Sequence, residues 1–320
     1  MITIEHVRKL YFTPFLELVS EASAIHRQHH QYRDIQLCTL YSVKTGGCPE
    51  DCEYCPQAAR YDTDVEAHKL VDVEQTLYVA RAARESGATR FCMGAAWREV
   101  RDGRDFDNVL EMVRQVRSLG MEVCTTLGMI TSDQADRLKE AGLTAYNHNI
   151  DTSESFYGEI IHTRKYQDRL STIQNIRDAG ISLCCGGIIG MGEKDEDRIQ
   201  FLHTLASLDP QPESVPINAL VPVKGTPLAD QEPVSSFEFV RVIACARILM
   251  PRAQVRLSAG RLSLSNEAQT LAFLAGANSI FTGEKLLTTP NPALNEDHQL
   301  MDLLGVKARK PFTAEYSITS

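Results

Sequence analysis

The sequence has no hydrophobic run long enough to cross a membrane. A transmembrane helix needs about 20 consecutive apolar residues, and no run in this chain approaches that length. Residues 1–6 also lack the charged segment, followed by an apolar one, that begins a secretory signal. We therefore expect a cytoplasmic protein without a membrane partner.

Positive charge is also scarce. The 33 lysines and arginines are outnumbered by 42 aspartates and glutamates, which gives a net charge of −9 and an isoelectric point near 5.5. A nucleic-acid-binding surface is usually basic, so the composition argues against a nucleic-acid partner. Internal repeats and low-complexity segments are absent. At 320 residues, the chain can form two domains or a single α/β barrel.

Cysteine, in contrast, is plentiful, with nine residues. Disulfides are rare in a reducing compartment, so this number indicates metal binding or catalysis. Cys48, Cys52 and Cys55 have the spacing C-x₃-C-x₂-C in a segment rich in glycine and proline. Such a loop can wrap its thiolates around one 4Fe–4S cluster. Three thiolates leave one of the four irons without a protein ligand and therefore open to substrate.

A structural zinc site and unreactive thiols are the alternatives for this loop. Zinc usually takes four ligands, often from two C-x₂-C pairs. The nearest candidate for a fourth ligand is His68, and no second C-x₂-C pair follows it. The spacing therefore favours the cluster.

Short segments rich in β-branched residues alternate with segments of helical periodicity. The predicted strands are 37–43, 88–95, 121–127, 144–150, 181–189, 214–221, 254–259 and 279–282. The predicted helices between them are 72–87, with Asp72 and Gln75 as a capping box, 105–120, 132–142, 166–180, 195–207, 235–249 and 265–277. Eight strand–helix units in series predict an α/β fold, a (β/α)₈ TIM-type barrel. A doubly wound open sheet is the alternative.

The segments on either side of the barrel have a different pattern. We predict an N-terminal helical extension over 1–36, with a break at Pro14, and the barrel over 37–293. Residues 294–320 are predicted to form a C-terminal tail with a weak helix at 295–304 and a partly disordered polar end. Histidines 26, 29 and 30 are expected on a solvated helix end rather than in a metal site.

Three further cysteines fall within predicted strands: Cys92, Cys124 and Cys184. Because alternate side chains of a barrel strand face inward, all three could point at a common axis. A single buried cysteine is usually a packing residue, but three on separate strands favour a second cluster. Cys185 must face away from Cys184 in a regular strand. Cys38 and Cys245 lie outside these patterns, and packing is expected for both.

Five stretches of the chain resemble the biotin synthase family of the radical S-adenosylmethionine superfamily. They are KTGGCPEDCEYCPQ at 44–57, FCMGAAW at 91–97, YNHNIDT at 146–152, VRLSAGR at 255–261 and LTTPNP at 287–292. The similarity extends over most of the chain, with helical segments between the motifs.

The resemblance implies radical insertion of sulfur into dethiobiotin to form biotin. It implies that Cys48, Cys52 and Cys55 hold a 4Fe–4S cluster that cleaves S-adenosylmethionine to a 5′-deoxyadenosyl radical. An auxiliary 2Fe–2S cluster supplies the sulfide. No side chain is implied to be catalytic beyond the clusters.

The implied ligands of the 2Fe–2S cluster are Cys92, Cys124, Cys184 and Arg256. Arginine is normally a permanent cation without an acceptor. From its chemistry alone, Arg256 would be a buried counter-charge for an anionic cluster or a carboxylate, and both roles stay open. Arg261 is predicted to pair with an anionic group or to be structural.

The resemblance also implies the small-molecule contacts. The residues implied to contact S-adenosylmethionine are Ala95, Asn149, Asp151 and Arg169, and those implied to hold dethiobiotin are Asn147, Asn218, Thr288 and Thr289. Internal hydrogen bonds between loops are the alternative for the Asn and Asp side chains. His148 is expected to point away from its asparagine neighbours.

Two partners follow from the resemblance, a second copy of the chain in a homodimer and a flavodoxin-type electron donor. Two other functions remain as alternatives: a related radical enzyme that makes a hydrogenase cofactor, and a non-enzymatic iron–sulfur carrier. Cys124, Cys184 and Arg256 together speak against the first, and the strand positions of the cysteines speak against the second.

Overall fold

The computed structural model describes residues 2–310, and parallel strands surrounded by helices form its centre. The strands of the main sheet are β1 (Asp34–Lys44), β2 (Arg90–Ala95), β3 (Glu122–Thr126), β4 (Ala145–Asn147), β5 (Ser182–Cys184), β6 (Gly187–Ile189), β7 (Ser214–Ala219), β8 (Gln254–Leu257) and β9 (Ser279–Thr282). Three two-residue strands follow: β10 (Lys285–Leu286), β11 (Thr289–Pro290) and β12 (Lys307–Ala308). The helices are α1 (Ile4–Tyr11), α2 (Phe15–His29), α3 (Val73–Glu85), α4 (Arg104–Ser118), α5 (Ser132–Glu140), α6 (Glu154–Ile160), α7 (Tyr166–Asp178), α8 (Asp195–Ser207), α9 (Ser236–Leu249), α10 (Asn266–Leu274) and α11 (Leu294–Leu304).

The sheet closes into a barrel because its first and last strands pair. Gln36 of β1 lies opposite Ser279 of β9 in parallel register, and the other edge of β1 pairs with β2. The remaining strands follow in chain order, and β5 and β6 together take the fifth of eight strand positions. The predicted (β/α)₈ barrel is confirmed, and the alternative of an open sheet is wrong.

The fifth strand position is broken, although the sequence predicts one strand over 181–189. β5 pairs with β4 and β7, whereas β6 pairs with β7. At the break, a Cβ atom on Gly186 would lie 1.9 Å from the carbonyl oxygen of Pro216. A Cβ on Gly187 would lie 2.3 Å from the carbonyl oxygen of Asp151. Two glycines therefore let neighbouring backbone approach more closely than a regular strand allows.

The outer helices form where the sequence places apolar residues three or four positions apart. In α4, for example, Val109, Val113 and Val116 are buried on one face. At the start of α3, Asp72 accepts a hydrogen bond from the Gln75 amide at 2.7 Å, which is one half of the predicted capping box. The glycines after the five helices α3, α4, α5, α7 and α10 have positive φ values, as left-handed C-caps require.

The N-terminal helices pack on α8 and α9. Arg241 of α9 donates hydrogen bonds to the carbonyl oxygens of Tyr11 and Thr13, at 2.5 and 2.8 Å, at the connection between α1 and α2. The expectation of a fully solvated histidine cluster is wrong. His26 is buried, whereas His29 is exposed. His30 Nε2 lies 2.8 Å from a donor, Arg247 Nη1, and 3.0 Å from an acceptor, the Pro251 carbonyl oxygen.

The C-terminal segment contains more structure than the sequence indicates. The helix predicted at 295–304 is α11, and the strand β12 after it was not predicted. β12 pairs with β1, with Lys307 opposite Asp34. From residue 311 onward, the predicted disordered end lies outside the described residues. Across residues 2–310, no helix combines the length and the apolar character that a membrane crossing requires.

A polar cluster, buried except for Glu213, lies at the amino-terminal end of the barrel. We call Gln36, Arg90, Glu122 and Glu213 the barrel floor. Arg90 donates to Glu122 at 2.7 Å and to Glu213 at 3.0 Å, and Gln36 donates to Glu122 at 3.0 Å. Buried charges persist only when they are paired. The floor therefore closes this end, and space for a ligand remains toward the carboxyl ends of the strands.

Candidate active site

A cavity of about 280 Å³ lies toward the carboxyl ends of the barrel strands, where ligand sites of such barrels lie. It brings together most of the residues that the sequence analysis selected. Those that line it are Cys48, Cys52, Cys55, Cys92, Ala95, Cys124, Asn147, Asn149, Asp151, Arg169, Cys184, Asn218 and Arg256.

Thr288 and Thr289 line an adjoining cavity of about 160 Å³ instead. The two cavities share Leu40, Asn218 and Leu287 as wall residues. The short hairpin of β10 and β11 carries the two threonines to this position. The predicted dethiobiotin residues therefore line two adjacent spaces.

The cluster loop, residues 46–58, holds three thiols at one side of the main cavity. Its ends are joined by a hydrogen bond from the Cys48 amide to the Gln57 carbonyl oxygen at 2.9 Å. A second hydrogen bond joins the Cys55 amide to the Cys52 carbonyl oxygen, also at 2.9 Å. Burial raises the pKa of Cys52 to about 11 and of Cys55 to about 12. The thiols are thus protonated until a metal displaces their protons.

Asp51 ties the cluster loop to the connection between α6 and α7. Its carboxylate accepts hydrogen bonds from the amides of His162 and Thr163 at 3.0 Å and from the Thr163 hydroxyl at 2.7 Å. Burial opposes the charge, but the hydrogen bonds from Thr163 and His162 lower the pKa of Asp51 to about 2. The sequence analysis did not predict this contact, because the partners are more than 100 positions apart.

Deeper in the barrel lies a second set of cysteines. We call Cys38, Cys92, Cys124 and Cys184 the inner thiol group, and all four pack in one buried cluster. Strand register explains the arrangement, since Cys92 of β2 lies opposite Cys124 of β3. The neighbouring Cys124 and Cys38 thiols lower the pKa of Cys92. Cys124 also lowers the pKa of Cys184 to about 6.

Cys38 is the unexpected member of the group. The sequence analysis assigned it to packing, because it lies outside every motif. The structure places it on β1 against the three cysteines that were predicted as ligands. Strand alternation along β1 could have indicated that Cys38 faces inward, because Leu40, two positions further along the strand, lines the cavity.

Cys184 and Cys185 face different surroundings, as strand alternation predicts. Cys184 belongs to the inner thiol group, whereas Cys185 packs in the main hydrophobic core between barrel and helices. Cys245 of α9 lies in that same core. The break between β5 and β6 comes directly after Cys184 and leaves its register with β4 intact.

Arg256 extends from β8 toward the inner thiol group and is completely buried. Its Nη1 lies 3.7 Å from the Cys184 sulfur, and its Nε donates to the Ser279 hydroxyl at 2.9 Å. Its guanidinium also lies over the Phe281 ring, 4.9 Å from the centroid. Burial opposes the charge, but Cys38 and Cys184 raise the pKa of Arg256. Both the ligand role and the counter-charge role fit these contacts.

Polar side chains occupy the region between the two sets of thiols. Asn147 donates to the Asn149 side-chain oxygen at 2.9 Å, and Asn149 accepts from the Gly186 amide at 3.1 Å. Asp151 forms an ion pair with Arg169 and accepts from the Tyr54 hydroxyl at 3.0 Å. The predicted alternative of internal hydrogen bonding therefore applies to these side chains, which still line the cavity.

Asn218 and Arg261 have partners of their own. Asn218 donates to the Gly187 carbonyl oxygen at 2.8 Å and accepts from the Ala259 amide at 3.1 Å. Arg261 forms a buried ion pair with Asp297 outside the main cavity. This matches the prediction of an anionic partner for Arg261.

Two further residues line the cavity. One is His148, whose ring lies 6.4 Å from the ring of Tyr146, two positions earlier, as side chains on one side of a strand do. Burial lowers the pKa of His148 well below its usual value. Arg164 also lines the cavity, and its buried Nε has no hydrogen-bond partner among residues 2–310. No motif in the sequence points to Arg164.

The donor set fits iron–sulfur groups. Within the part of the chain that the structure describes, no three Cys, His, Asp or Glu side chains converge on one metal ion. The three thiols of the cluster loop and three of the inner thiol group, Cys92, Cys124 and Cys184, instead line one cavity. Thiolates are the usual ligands of iron–sulfur clusters. Arg256 and Arg164 add buried positive charge beside them, which suits an anionic group.

Two family profiles match the chain. The Radical SAM superfamily matches residues 42–205, and the Biotin and Thiamin Synthesis associated domain matches residues 216–307. The first match begins in the last residues of β1, includes the cluster loop and ends within α8. The second begins within β7, includes Arg256 and ends at the first residue of β12.

Curated relatives match nearly the whole chain. A biotin synthase of Cytophaga hutchinsonii is 60% identical over 97% of this chain and 92% of its own length. One of Myxococcus xanthus is 60% identical over 97% of this chain and 89% of its own length. One of Synechococcus elongatus is 58% identical over 98% of each.

Solved structures share the fold. A methylornithine synthase aligns with a TM-score of 0.79 over 97% of this chain and 95% of its own, at 17% identity. An FeFe-hydrogenase maturase from Carboxydothermus hydrogenoformans aligns with a TM-score of 0.80 over 98% of this chain and 77% of its own, also at 17% identity.

Proposed function

The chain belongs to the biotin synthase family, and we propose that its barrel cavity is where sulfur is inserted into dethiobiotin to form biotin. The observation that carries this proposal is the presence of two separate thiol sets on one cavity. A radical enzyme that inserts sulfur needs both a group that generates the radical and a group that donates sulfide.

Cys48, Cys52 and Cys55 would hold a 4Fe–4S cluster, and Cys92, Cys124 and Cys184, with Arg256, an auxiliary 2Fe–2S cluster. When bound, the first supplies the electron that cleaves S-adenosylmethionine to a carbon radical, and the second supplies the sulfide. The chain contributes the positions of the ligands. The hydrogen bond between Cys48 and Gln57 fixes the positions of the cluster-loop thiols. The register of β2, β3 and β5 fixes the positions of the ligands of the second cluster.

S-adenosylmethionine would lie beside the cluster loop. Asn149 and Asp151 offer acceptors for its ribose hydroxyls, and Arg169 offers a cation for its carboxylate. Ala95 adds an apolar wall. The Asp151–Arg169 ion pair holds both side chains in place before the ligand arrives, which reduces the ordering cost of binding.

Dethiobiotin would lie between the two thiol sets, held by Asn147, Asn218, Thr288 and Thr289. Asn147 lies 3.4 Å from the Cys184 sulfur, so it can orient the substrate next to the inner thiol group. A carbon radical reacts with almost any C–H bond, so the site must fix geometry and exclude water. The barrel floor closes one end of the barrel, and the β10–β11 hairpin covers part of the other.

The partners and the location are part of the proposal. We propose a flavodoxin-type donor, a homodimer and a cytoplasmic location, where reduced thiols persist. We also propose the division into an extension (1–36), a barrel (37–293) and a C-terminal tail (294–320). The extension and α11 both pack on the barrel.

Anaerobic reconstitution tests the proposed function. The full chain, with iron, sulfide, S-adenosylmethionine, dethiobiotin and a chemical reductant, should form biotin together with 5′-deoxyadenosine and methionine. Iron and sulfide analysis should give six irons for one 4Fe–4S and one 2Fe–2S cluster. Cleavage of S-adenosylmethionine without biotin would favour a different radical enzyme, and clusters without any cleavage would favour a carrier.

A further inference from the structure

The proposed function leaves one thiol of the inner group unused. Cys38 is fully buried on β1 and packs with Cys92, Cys124 and Cys184. Two other buried cysteines, Cys185 and Cys245, lie in the main hydrophobic core instead. Burial is therefore common to all of these cysteines, and contact with the proposed ligands distinguishes Cys38.

Cys38 and Arg256 both contact the same residue, Ser279. The Ser279 hydroxyl lies 3.7 Å from the Cys38 sulfur and accepts a hydrogen bond from Arg256 Nε at 2.9 Å. Ser279 is on β9, and β9 lies between β1 and β8 in the barrel. The thiol and the guanidinium thus occupy neighbouring positions beside the same three cysteines.

Ligand chemistry favours the thiol. Thiolates are the usual ligands of iron–sulfur clusters, whereas a guanidinium is a cation with no acceptor. We propose that Cys38 is a fourth thiolate available to the auxiliary 2Fe–2S cluster and that it occupies the fourth ligand position when Arg256 is removed. On binding iron, the thiol releases its proton to solvent and Arg256 plays no part. This inference rests on the proposed function, because it needs the auxiliary cluster.

A double-mutant comparison in the full chain tests the proposal. The variants are Arg256→Met, Cys38→Ala and their combination, each reconstituted anaerobically. Measurements are iron and sulfide per chain, the visible spectrum and the rate of loss of the second cluster to a chelator. Cys245→Ala is the matched control, since it removes a buried thiol from the hydrophobic core.

The expected result is strongly non-additive. Arg256→Met should keep a second cluster with a changed spectrum, now held by four thiolates. The double variant should lose that cluster at least about tenfold faster than Arg256→Met, the scale on which the loss of a supporting residue weakens metal sites. Cys245→Ala should match the unsubstituted protein.

Two controls keep the outcome clear. In the Arg256→Met background, Cys38→Ser keeps a side chain of nearly the same size as cysteine. If the Cys38 thiolate is the ligand, Cys38→Ser should lose the second cluster as fast as Cys38→Ala does. Retained S-adenosylmethionine cleavage by each variant shows that the barrel is folded. Equal cluster loss from Arg256→Met and from the double variant would overturn the Cys38 proposal alone. A protein that assembles only one cluster before any substitution would overturn the proposed auxiliary cluster as well.

Discussion

Two adjacent cysteines show how a single residue position decides a role. Cys184 lies 3.7 Å from Arg256 and packs with the inner thiol group, whereas Cys185 lies in the hydrophobic core. Burial raises the pKa of Cys185 above its usual value. Chemistry at this strand should therefore depend on one of the two sulfurs.

We expect Cys184→Ala to lose the visible absorption of the second cluster and to form no biotin. Cys185→Ser should keep both, because its side chain faces away from the cavity. Electronic spectra and a biotin assay of the reconstituted variants make the comparison. An inactive Cys185→Ser beside an active Cys184→Ala would mean that the register of β5 is off by one position.

Cys52→Ala should abolish reductive cleavage of S-adenosylmethionine. Cys52 is one of three thiols in the cluster loop, and two remaining thiolates are too few to hold a cubane. The measurement is 5′-deoxyadenosine produced under dithionite, with Cys245→Ala as the control. Undiminished production by Cys52→Ala would refute the assignment of the cluster to this loop.

At the scale of elements, the cluster loop depends on a contact from a distant segment. Three hydrogen bonds from His162 and Thr163 end on the Asp51 carboxylate. Hydrogen bonds to a charged group contribute about 1.5–3 kcal/mol each. The connection between α6 and α7 therefore holds the loop in position.

Asp51→Ala should loosen the loop and speed loss of the first cluster to a chelator by about tenfold. The reason is that the loop keeps its thiols but loses its anchor. The measurement is the decay of the first cluster's absorption under anaerobic conditions. Asp64→Ala is the control, since Asp64 is exposed and nearby in sequence; equal decay in the two variants would contradict the anchoring role.

Helix α2 carries a buried histidine that should make stability depend on pH. Burial and the charge of Arg247 lower the pKa of His26 from 6.5 to about 3. Between these values the unfolded chain binds a proton that the folded chain does not, so stability rises with pH and is lost as the pH falls below 6.5. For His26 the loss between pH 7 and pH 5 is about 2 kcal/mol.

His26→Gln should remove this part of the pH dependence. Urea unfolding of the metal-free protein at pH 7 and pH 5 measures it. His29→Gln, on the exposed side of the same helix, should leave the dependence unchanged. A His26→Gln protein that loses as much stability at pH 5 as the unsubstituted chain would show that His26 is protonated in the fold.

For the whole molecule, closure of the barrel brings together charges that are far apart in sequence. Arg90 pairs with Glu122 and Glu213, and Arg309, after β12, also pairs with Glu122 at 2.6 Å. These contacts join β2, β3, the start of β7 and the C-terminal segment. A substitution in the barrel floor therefore tests how much these long-range contacts stabilise the whole fold.

Arg90→Met should destabilise the protein by about 3–5 kcal/mol, because it leaves buried Glu122 with less compensation for its charge. Urea unfolding measures the change. Arg114→Met, which removes an exposed pair with Glu111, should cost less than about 1 kcal/mol. A similar cost for both variants would mean that water reaches the floor.

Much of the site could be predicted from local patterns. The cluster loop follows from the spacing of Cys48, Cys52 and Cys55, and the opposite orientations of Cys184 and Cys185 follow from strand alternation. The barrel follows from strands and helices in series, and the helix ends from glycines. Each of these depends on residues within a few positions of one another, where backbone geometry alone decides the outcome.

The tertiary structure decided the rest. The place of Cys38 beside Arg256 depends on the pairing of β1 with β9, and the anchoring of Asp51 depends on a segment more than 100 positions away. Arg164 lines the cavity but belongs to no motif. Such contacts are set by barrel closure and side-chain packing between distant segments, which no spacing along the chain encodes.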